Sequence, residues 1–178
     1  MLEFVSLNSS NLDLLDKFLI NAGNSLDTFR YFETRKAKVV LQHLVSYIIK
    51  DNSRIIGYCH LENDSGKTWL ALCILEKETG KGYGKLILNK LISVSKKLQV
   101  KSIYLSVDLN NSKAIRLYEN FNFNFQFEKM CQEMFKILKE GGVCVWIVGD
   151  QTVKGNESGT SFKQALFFKD VGFNLFDT

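Results

Sequence analysis

The chain has 178 residues, of which 46% are hydrophobic and 24% are charged, the composition of a globular protein with its own core. No apolar run reaches the ~20 residues that a membrane-spanning helix needs, and the N-terminus lacks the basic and apolar blocks of a signal peptide. The net charge of +4 is modest. Residues 127–178 hold 6 basic and 7 acidic side chains, which argues against independent binding to nucleic acid.

The four cysteines are far apart, and none belongs to a CxxC pair. Only two histidines, His43 and His60, accompany them, so the sequence predicts no metal site. Reduced core cysteines are the preferred interpretation, and they are typical of a cytoplasmic protein.

Apolar periodicity predicts five strands and three helices before residue 124. The predicted strands are Leu2–Leu7, Leu44–Asp51, Arg54–Glu62, Thr68–Glu76 and Ser102–Asp108. The predicted helices run through Leu12–Leu19, from about Gly82 to Leu98, and from Ser112 through Phe121. Ser10 or Asn11 is expected to cap the first helix, and Asn52-Ser53 indicates a hairpin. This order predicts an α/β (α+β) fold with a mixed, mainly antiparallel sheet flanked by helices.

The stretch TGKGYGK, Thr79–Lys85, places glycines at 80, 82 and 84 between a predicted strand and a predicted helix. Backbone N–H groups at a helix N-terminus bind phosphate, and glycine lets an anion reach them. Lys81 and Lys85 add positive charge. A simple strand-to-helix turn with solvated lysines is the alternative. The spacing fits neither a Walker loop nor a dinucleotide fingerprint.

A second motif allows a more specific interpretation of this glycine turn. The stretch LSVDLNNSKAIRLYENFNF, Leu105–Phe123, resembles the second signature of the GNAT superfamily of acyl-CoA N-acyltransferases, a strand followed by N-x-x-A-x-x-L-Y-x-x-x-G-F. The matching residues are Asn111, Ala114, Leu117, Tyr118 and Phe123, while Asn122 stands where a glycine is usual. The glycine turn resembles the family's Q/R-x-x-G-x-G/A pyrophosphate loop, with Thr79 in place of Gln or Arg. Residues 1–126 are therefore identified as a GNAT-like domain.

The resemblance implies transfer of an acetyl group from acetyl-CoA (coenzyme A) to a small-molecule amine. The cofactor-binding residues that it implies are Cys73, Ile74, Leu75, Thr79, Gly80, Lys81, Gly82, Tyr83, Gly84, Lys85, Asn111 and Ala114. In this family the pantetheine arm lies in a gap between two splayed strands, and an amide there could stabilise the oxyanion. Tyr118 is expected to protonate the departing thiolate, with core packing as the alternative. Asn111 is expected to contact the cofactor arm, to cap the helix, or both.

The general base is less well defined. His60 and Glu62 lie two apart on a predicted strand beside the cleft and therefore share a face. Glu62 is the preferred base, while a solvated strand face and a water chain are the alternatives. His43 is expected to be structural. The aromatic cluster at residues 29–32 is expected to shape the acceptor pocket, with packing in the core as the alternative.

The remainder of the chain, Phe127–Thr178, resembles an internal piece of bacterial DNA methyltransferases that modify exocyclic amino groups. The resemblance lies in a helix into LKEGG, the strand VCVWIVGD, the loop TVKGNESGTSF and a helix ending DVGFNL, so a C-terminal helix-strand-helix appendage is expected. Such enzymes need a [DNS]-P-P-[YWF] loop and an F-x-G-x-G loop, and this chain has neither the second motif nor any proline. We therefore expect a GNAT domain truncated after residue 126, joined to a fragment without catalytic or cofactor motifs. VCVWIVGD is expected to add a strand at the exposed sheet edge.

Two functions remain open on the sequence alone. The first is an N-acetyltransferase for a small amine. The second is a catalytically inactive fusion or remnant in which the tail serves only as a structural or interaction element. No nucleic-acid or membrane partner is expected, and a homodimer is left open.

Overall fold

The computed structural model describes residues 2–108, 111–123, 126–146, 152–153, 156–157 and 159–175. The chain divides into two compact units, Met1–Tyr118 and Glu119–Thr178. The domain boundary predicted after residue 126 stays a prediction. Among the described residues, no helix is long and apolar enough to cross a membrane.

The first unit is built on a five-stranded sheet whose strands follow chain order. They are β1 (Leu2–Ser6), β2 (Val45–Asp51), β3 (Arg54–Asp64), β4 (Lys67–Ile74) and β5 (Ile103–Tyr104). The first four strands pair antiparallel, and β4 pairs with β5 in parallel. The predicted fold class, a mixed and mainly antiparallel sheet with helices, is confirmed.

Two tight hairpins join the central strands. Asn52 and Ser53 connect β2 to β3 with φ angles of 47° and 68°, and Ser65 and Gly66 connect β3 to β4 with 52° and 76°. Two consecutive positive φ angles define a type I′ turn, whose twist matches that of the flanking strands. The hairpin predicted at Asn52-Ser53 is therefore present.

Three helices accompany this sheet. They are α1 (Asp13–Asn21), α2 (Tyr83–Lys97) and α3 (Ser112–Glu119). Leu15 and Phe18 of α1 are fully buried and share one core cluster with Ile48 of β2 and Tyr58 of β3. On α2, buried residues recur at helical spacing, so this helix turns one apolar face inward.

The cap predicted for α1 is not formed. Asn11 uses its side-chain oxygen to accept from the Asn8 amide at 2.8 Å, and its side-chain nitrogen donates to the Ser6 carbonyl. Helix α1 begins one residue after Leu12, with no side-chain cap. The Asn11 amide group closes the turn between β1 and α1 instead, because local side-chain bonds compete with capping.

Strands β4 and β5 separate soon after they meet. Their pairing covers Thr68 with Ile103 and Trp69 with Tyr104, and no further pair continues it among the described residues. β4 nevertheless runs on to Ile74. The predicted strand Ser102–Asp108 is therefore shortened to two residues, because its second half leaves the sheet and opens a gap along β4.

The second unit contains α4 (Gln126–Ile137), the short strands β6 (Thr152–Val153) and β7 (Asn156–Glu157), and α5 (Thr160–Val171). An aromatic cluster holds it together, with Phe127, Trp146 and Phe168 in mutual ring contact at 5.5–5.6 Å. Trp146 also donates to Gln164 at 2.9 Å. In the predicted strand VCVWIVGD, residues 143–146 are not in a strand, and residues 147–150 lie outside the described residues.

Candidate active site

The glycine turn exposes its backbone. Gly80 and Gly82 have φ angles of 79° and 84°, which side chains rarely tolerate, and a Cβ at either position would meet no atom within 4 Å. Among the described residues, no amide from Gly80 to Gly84 donates to another backbone group outside helix α2. Helix α2 begins at Tyr83, so these donors lie at its positive end. The turn can therefore hold an anion such as a diphosphate.

Gly84 serves a different purpose from its two neighbours. A Cβ at this position would lie 3.0 Å from Leu117 Cδ2 and 3.6 Å from Ile74 Cδ1. Gly84 thus lets the first turn of α2 approach both α3 and the end of β4. It positions the glycine turn against the gap in the sheet.

A large cavity runs along this gap. Its volume is about 1040 Å³, and all of its lining residues belong to the first unit. The glycine turn and Lys85 line one end, and Glu62 and His60 line the other. Leu72, Cys73 and Ile74 of β4 line the stretch between them.

The direction of the β4 backbone groups follows from the strand register. The Leu75 amide donates to the Ile56 carbonyl at 2.9 Å, and Leu75 lies opposite Ile56 in the register that pairs Cys73 with Tyr58. Antiparallel strands alternate, so the groups of Cys73 also face β3, whereas those of Leu72 and Ile74 face the gap. Of the predicted set Cys73, Ile74 and Leu75, only Ile74 therefore presents its amide to the cavity.

The structure brings together most of the predicted site. The predicted residues that line the cavity are Glu62, Cys73, Ile74, Thr79, Gly80, Gly82, Gly84, Lys85, Asn111, Ala114 and Tyr118. Leu75, Lys81 and Tyr83 are not among the lining residues. Lys81 forms an ion pair with Glu78 at 2.8 Å, and the Tyr83 hydroxyl donates to Asp51 at 2.8 Å. Their side chains are engaged elsewhere, and only their amides remain at the turn.

Tyr118 lies near the end of α3 and lines the cavity although it is only 8% exposed. Burial raises the pKa of Tyr118 to about 12, and the nearby Cys73 thiol acts in the same direction. The phenol therefore stays protonated throughout the neutral and mildly alkaline range. This is the state that a proton donor requires.

Asn111 caps α3. Its side-chain oxygen accepts from the Ala114 amide at 3.1 Å, and its side-chain nitrogen donates to Thr28 Oγ1 at 3.3 Å. The capping interpretation is thus present in the structure, and Asn111 also lines the cavity. Asn122, at the usual glycine position of the motif, has a φ angle of 61°, which asparagine tolerates better than most residues.

The far end of the cavity holds a linked group of polar side chains. The Tyr31 hydroxyl donates to Glu62 Oε2 at 2.5 Å and lies 2.8 Å from His43 Nε2. The rings of His60 and His43 are in contact, with centroids 4.2 Å apart and planes tilted by 40°. The Glu62 oxygens lie 3.4 Å from His43 Nε2 and 3.8 Å from His60 Nε2.

Burial and proximity set the protonation of this group. The His60 ring and the hydroxyl of Tyr31 hold the pKa of Glu62 down at about 2, against the opposing effect of burial. Burial lowers the pKa of His43 to about 4 and also lowers the pKa of His60. At neutral pH the group is an anionic carboxylate beside two neutral imidazoles.

Sequence reasoning missed Tyr31 as the link between Glu62 and His43, and it missed the ion pair between Arg30 and Asp108. The stretch around Tyr31 and Arg30 has no regular periodicity, so no pattern assigned directions to its side chains. Phe29 and Phe32 both pack against the core cluster, and Phe29 also lines the cavity. Core packing is therefore present, while a role of this stretch in an acceptor pocket stays a prediction.

Open backbone amides at the end of a split between two strands, with a buried phenol lining the same cavity, are the arrangement expected for an acyl-CoA-dependent transferase. Residues 12–123 match the Acetyltransferase (GNAT) family. Because this match spans more than half of the chain, the chain belongs to the GNAT family.

Individual relatives match in separate pieces. The Spermine/spermidine N(1)-acetyltransferase of Bacillus subtilis (strain 168) is 44% identical over 69 residues, which are 38% of this chain and 45% of that protein. The Orphan methyltransferase M.BamHII of Bacillus amyloliquefaciens is 56% identical over 64 residues, 36% of this chain and 23% of that protein. The chain thus spans less than half of either relative. It joins a GNAT domain to a methyltransferase-like fragment.

A solved structure of AAC(6')-Iy in complex with the bisubstrate analogue CoA-S-monomethyl-acetylneamine shares the fold, with a TM-score of 0.55 at 10% identity. The alignment covers 85% of this chain and 99% of that one. GNAT enzymes use acetyl-CoA as the acyl donor. The open amides at Gly80–Gly84 and the gap along β4 fit the diphosphate and the arm of this donor.

Proposed function

We propose that the first unit is an N-acetyltransferase that moves an acetyl group from acetyl-CoA to a small cationic amine. The observation that carries the proposal is the set of open amides at Gly80–Gly84, at the start of α2 and beside the split of β4 from β5. The bound acetyl-CoA supplies an activated acetyl thioester. The remaining steps belong to residues of this chain.

The donor end of the cavity is assigned to binding and proton donation. The amides at Gly80–Gly84 hold the diphosphate, and Lys85 adds a positive charge at the same end. The Ile74 amide faces the gap and offers a donor to the acyl oxygen. Tyr118 supplies a proton to the leaving sulfur, since its raised pKa keeps the phenol protonated.

The acceptor end is assigned to the amine. Glu62 and Asp64 line it, and the carboxylate of Glu62 is oriented by the Tyr31 hydroxyl. An anionic group inside a recessed cavity attracts a cationic amine and fixes its direction. We assign Glu62 this role, and its part as the general base stays a prediction. Relatives named for spermine and spermidine support a polyamine as the first acceptor to try.

Two measurements test the proposal. Acetyl-CoA at ~100 times its Kd is expected to stabilise the protein by ~2.7 kcal/mol in a thermal shift. Release of free CoA thiol is then followed with spermidine, spermine and an uncharged amide as the negative control. A thermal shift without thiol release for any amine supports the inactive remnant, and absence of a thermal shift contradicts the donor site itself.

The second unit is proposed not to methylate. Its relative M.BamHII is matched over only 23% of its length, and the chain has no proline from which a [DNS]-P-P-[YWF] loop could be made. Equilibrium dialysis with radiolabelled S-adenosylmethionine checks this, with no saturable binding as the expected result.

A further inference from the structure

Two histidines and a glutamate converge at the acceptor end in a way that amine binding does not require. His43 precedes β2, while His60 and Glu62 lie on β3. One ligand atom from each of the three lies within 4.8 Å of the other two. Around a tetrahedral ion with bonds of about 2.0–2.1 Å, ligand atoms are separated by roughly 3.3 Å. Glu62 Oε2 lies 3.4 Å from His43 Nε2, and Glu62 Oε1 lies 3.8 Å from His60 Nε2, so each carboxylate oxygen is near one of the two nitrogens at a similar separation.

Both imidazoles turn the same nitrogen toward the carboxylate. His60 Nδ1 lies 2.9 Å from the Tyr58 hydroxyl, and His43 Nδ1 lies 2.9 Å from Ser46 Oγ. Each ring is therefore held at its Nδ1, which leaves its Nε2 on the side of Glu62. Outer hydrogen bonds of this kind orient histidines that bind metals.

His60 Nε2 is an unsatisfied polar atom. Among the described residues, it is the one buried side-chain nitrogen or oxygen without a hydrogen-bond partner. The residue is fully buried and still lines the cavity. The Glu62 oxygen near it lies at 3.8 Å, beyond hydrogen-bond distance, and because an unpaired buried polar group is unfavourable, this nitrogen is suited to receive a ligand.

We propose that His43 Nε2, His60 Nε2 and Glu62 form a binding site for a divalent transition-metal ion, with Zn²⁺ as the ion that this donor set suits best. Three protein ligands of the His₂Glu type, with a further position open to a cavity, are typical of accessible zinc sites. The spacing of cysteines and histidines in the sequence, from which no metal was expected, does not indicate this group. The fold brings His43 to its partners across the β2–β3 pairing.

Zinc binding by the full chain is the test. The chelator-treated protein is titrated with Zn²⁺ in competition with a chromophoric chelator. We expect one equivalent to bind, and Glu62→Gln and His60→Ala to weaken it at least tenfold. Glu3→Gln, which alters an exposed carboxylate on β1, serves as the matched control and is expected to bind like the wild type. Equal binding by the wild type and Glu62→Gln overturns the proposal.

Two further measurements guard against misfolding of a variant and against zinc binding at a thiol. Glu62→Gln preserves shape, so it remains informative if His60→Ala fails to fold, and far-UV circular dichroism checks each variant. Co²⁺ replaces Zn²⁺ as a spectroscopic probe. Weak visible bands without a sulfur-to-cobalt charge-transfer band support the His₂Glu site, whereas an intense charge-transfer band lost in Cys144→Ser places the metal on a thiol and overturns it. Neither measurement depends on acetyl transfer.

Discussion

The two ends of the cavity present different kinds of chemical group. At the end proposed to bind the acyl donor, the candidate binding groups are backbone amides of consecutive residues, Gly80–Gly84, and the start of α2 sets their direction. At the acceptor end, they are side chains from three separate stretches, at Tyr31, at His43 and on β3. A site made of consecutive backbone groups can be recognised from a short sequence motif, whereas a site made of side chains that are distant in sequence is assembled only by the fold.

The largest effect is expected from Tyr118→Phe. Loss of the proton donor should lower kcat by about 10²-fold or more and leave the Kd for acetyl-CoA unchanged. Tyr83→Phe is the matched control. It also removes a tyrosine hydroxyl near the glycine turn, but that hydroxyl donates to Asp51. Steady-state kinetics and calorimetry check both variants. A weakened Kd with an unchanged kcat would show that Tyr118 only packs.

The pH dependence sharpens the same assignment. The raised pKa of Tyr118, about 12, means that the donor form persists as the pH rises. The profile of kcat should therefore show no alkaline loss from this residue up to about pH 10, where an ordinary tyrosine is already half ionised. An alkaline limb near pH 9 that disappears in Tyr118→Phe contradicts the buried environment of the phenol.

The donor end is tested by Gly82→Val. A side chain at a φ angle of 84° strains the backbone and occupies the space before the amides, so the affinity for acetyl-CoA should fall about 100-fold. Gly66→Val is the control, since Gly66 has a φ angle of 76° with open space around it in the β3–β4 turn. Both variants should lose similar stability. If Gly66→Val loses the same affinity, the loss reports strain and not the anion site.

The acceptor end is tested by Glu62→Gln in kinetics. Neutralising the carboxylate should raise the KM for a cationic amine about tenfold, because one charge interaction is removed, and leave the Kd for acetyl-CoA unchanged. Glu3→Gln again controls for net charge. Assays run with and without a chelator separate this effect from metal binding. An unchanged KM argues that the amine approaches through another part of the cavity.

How much of the site could be predicted from the sequence differs between the two ends of the cavity. The glycine turn, Tyr118 and the capping role of Asn111 are local patterns, and the structure places each of them in the cavity wall. The early end of β5 was not predictable. Apolar alternation shows that a segment can form a strand, but it does not show where that strand separates from the strand beside it. Likewise, nothing in the spacing of His43 and Glu62 indicates that β2 and β3 bring them together.

Side-chain competition limited the local predictions as well. Asn11 and Asn111 both precede helices and have the same capping potential, yet only Asn111 caps. Asn11 has a nearer acceptor and donor in Ser6 and Asn8, and these bonds fix its side chain. The same residue type thus closes a turn in one place and begins a helix in the other.

The smallest effect is expected from Asn111, where the cap and the donor contact can be separated. Asn111→Ala removes the bond to the Ala114 amide and should lower the free energy of unfolding by about 1 kcal/mol. Asn111→Ser keeps a capping oxygen, so its stability in urea denaturation should stay within about 0.5 kcal/mol of the wild type. Acetyl-CoA affinity then decides the second role, since serine lacks the amide nitrogen. Weaker binding by a stable Asn111→Ser variant assigns the side chain to the donor, whereas unchanged binding leaves Asn111 as a cap that holds α3, and with it Tyr118, against the gap.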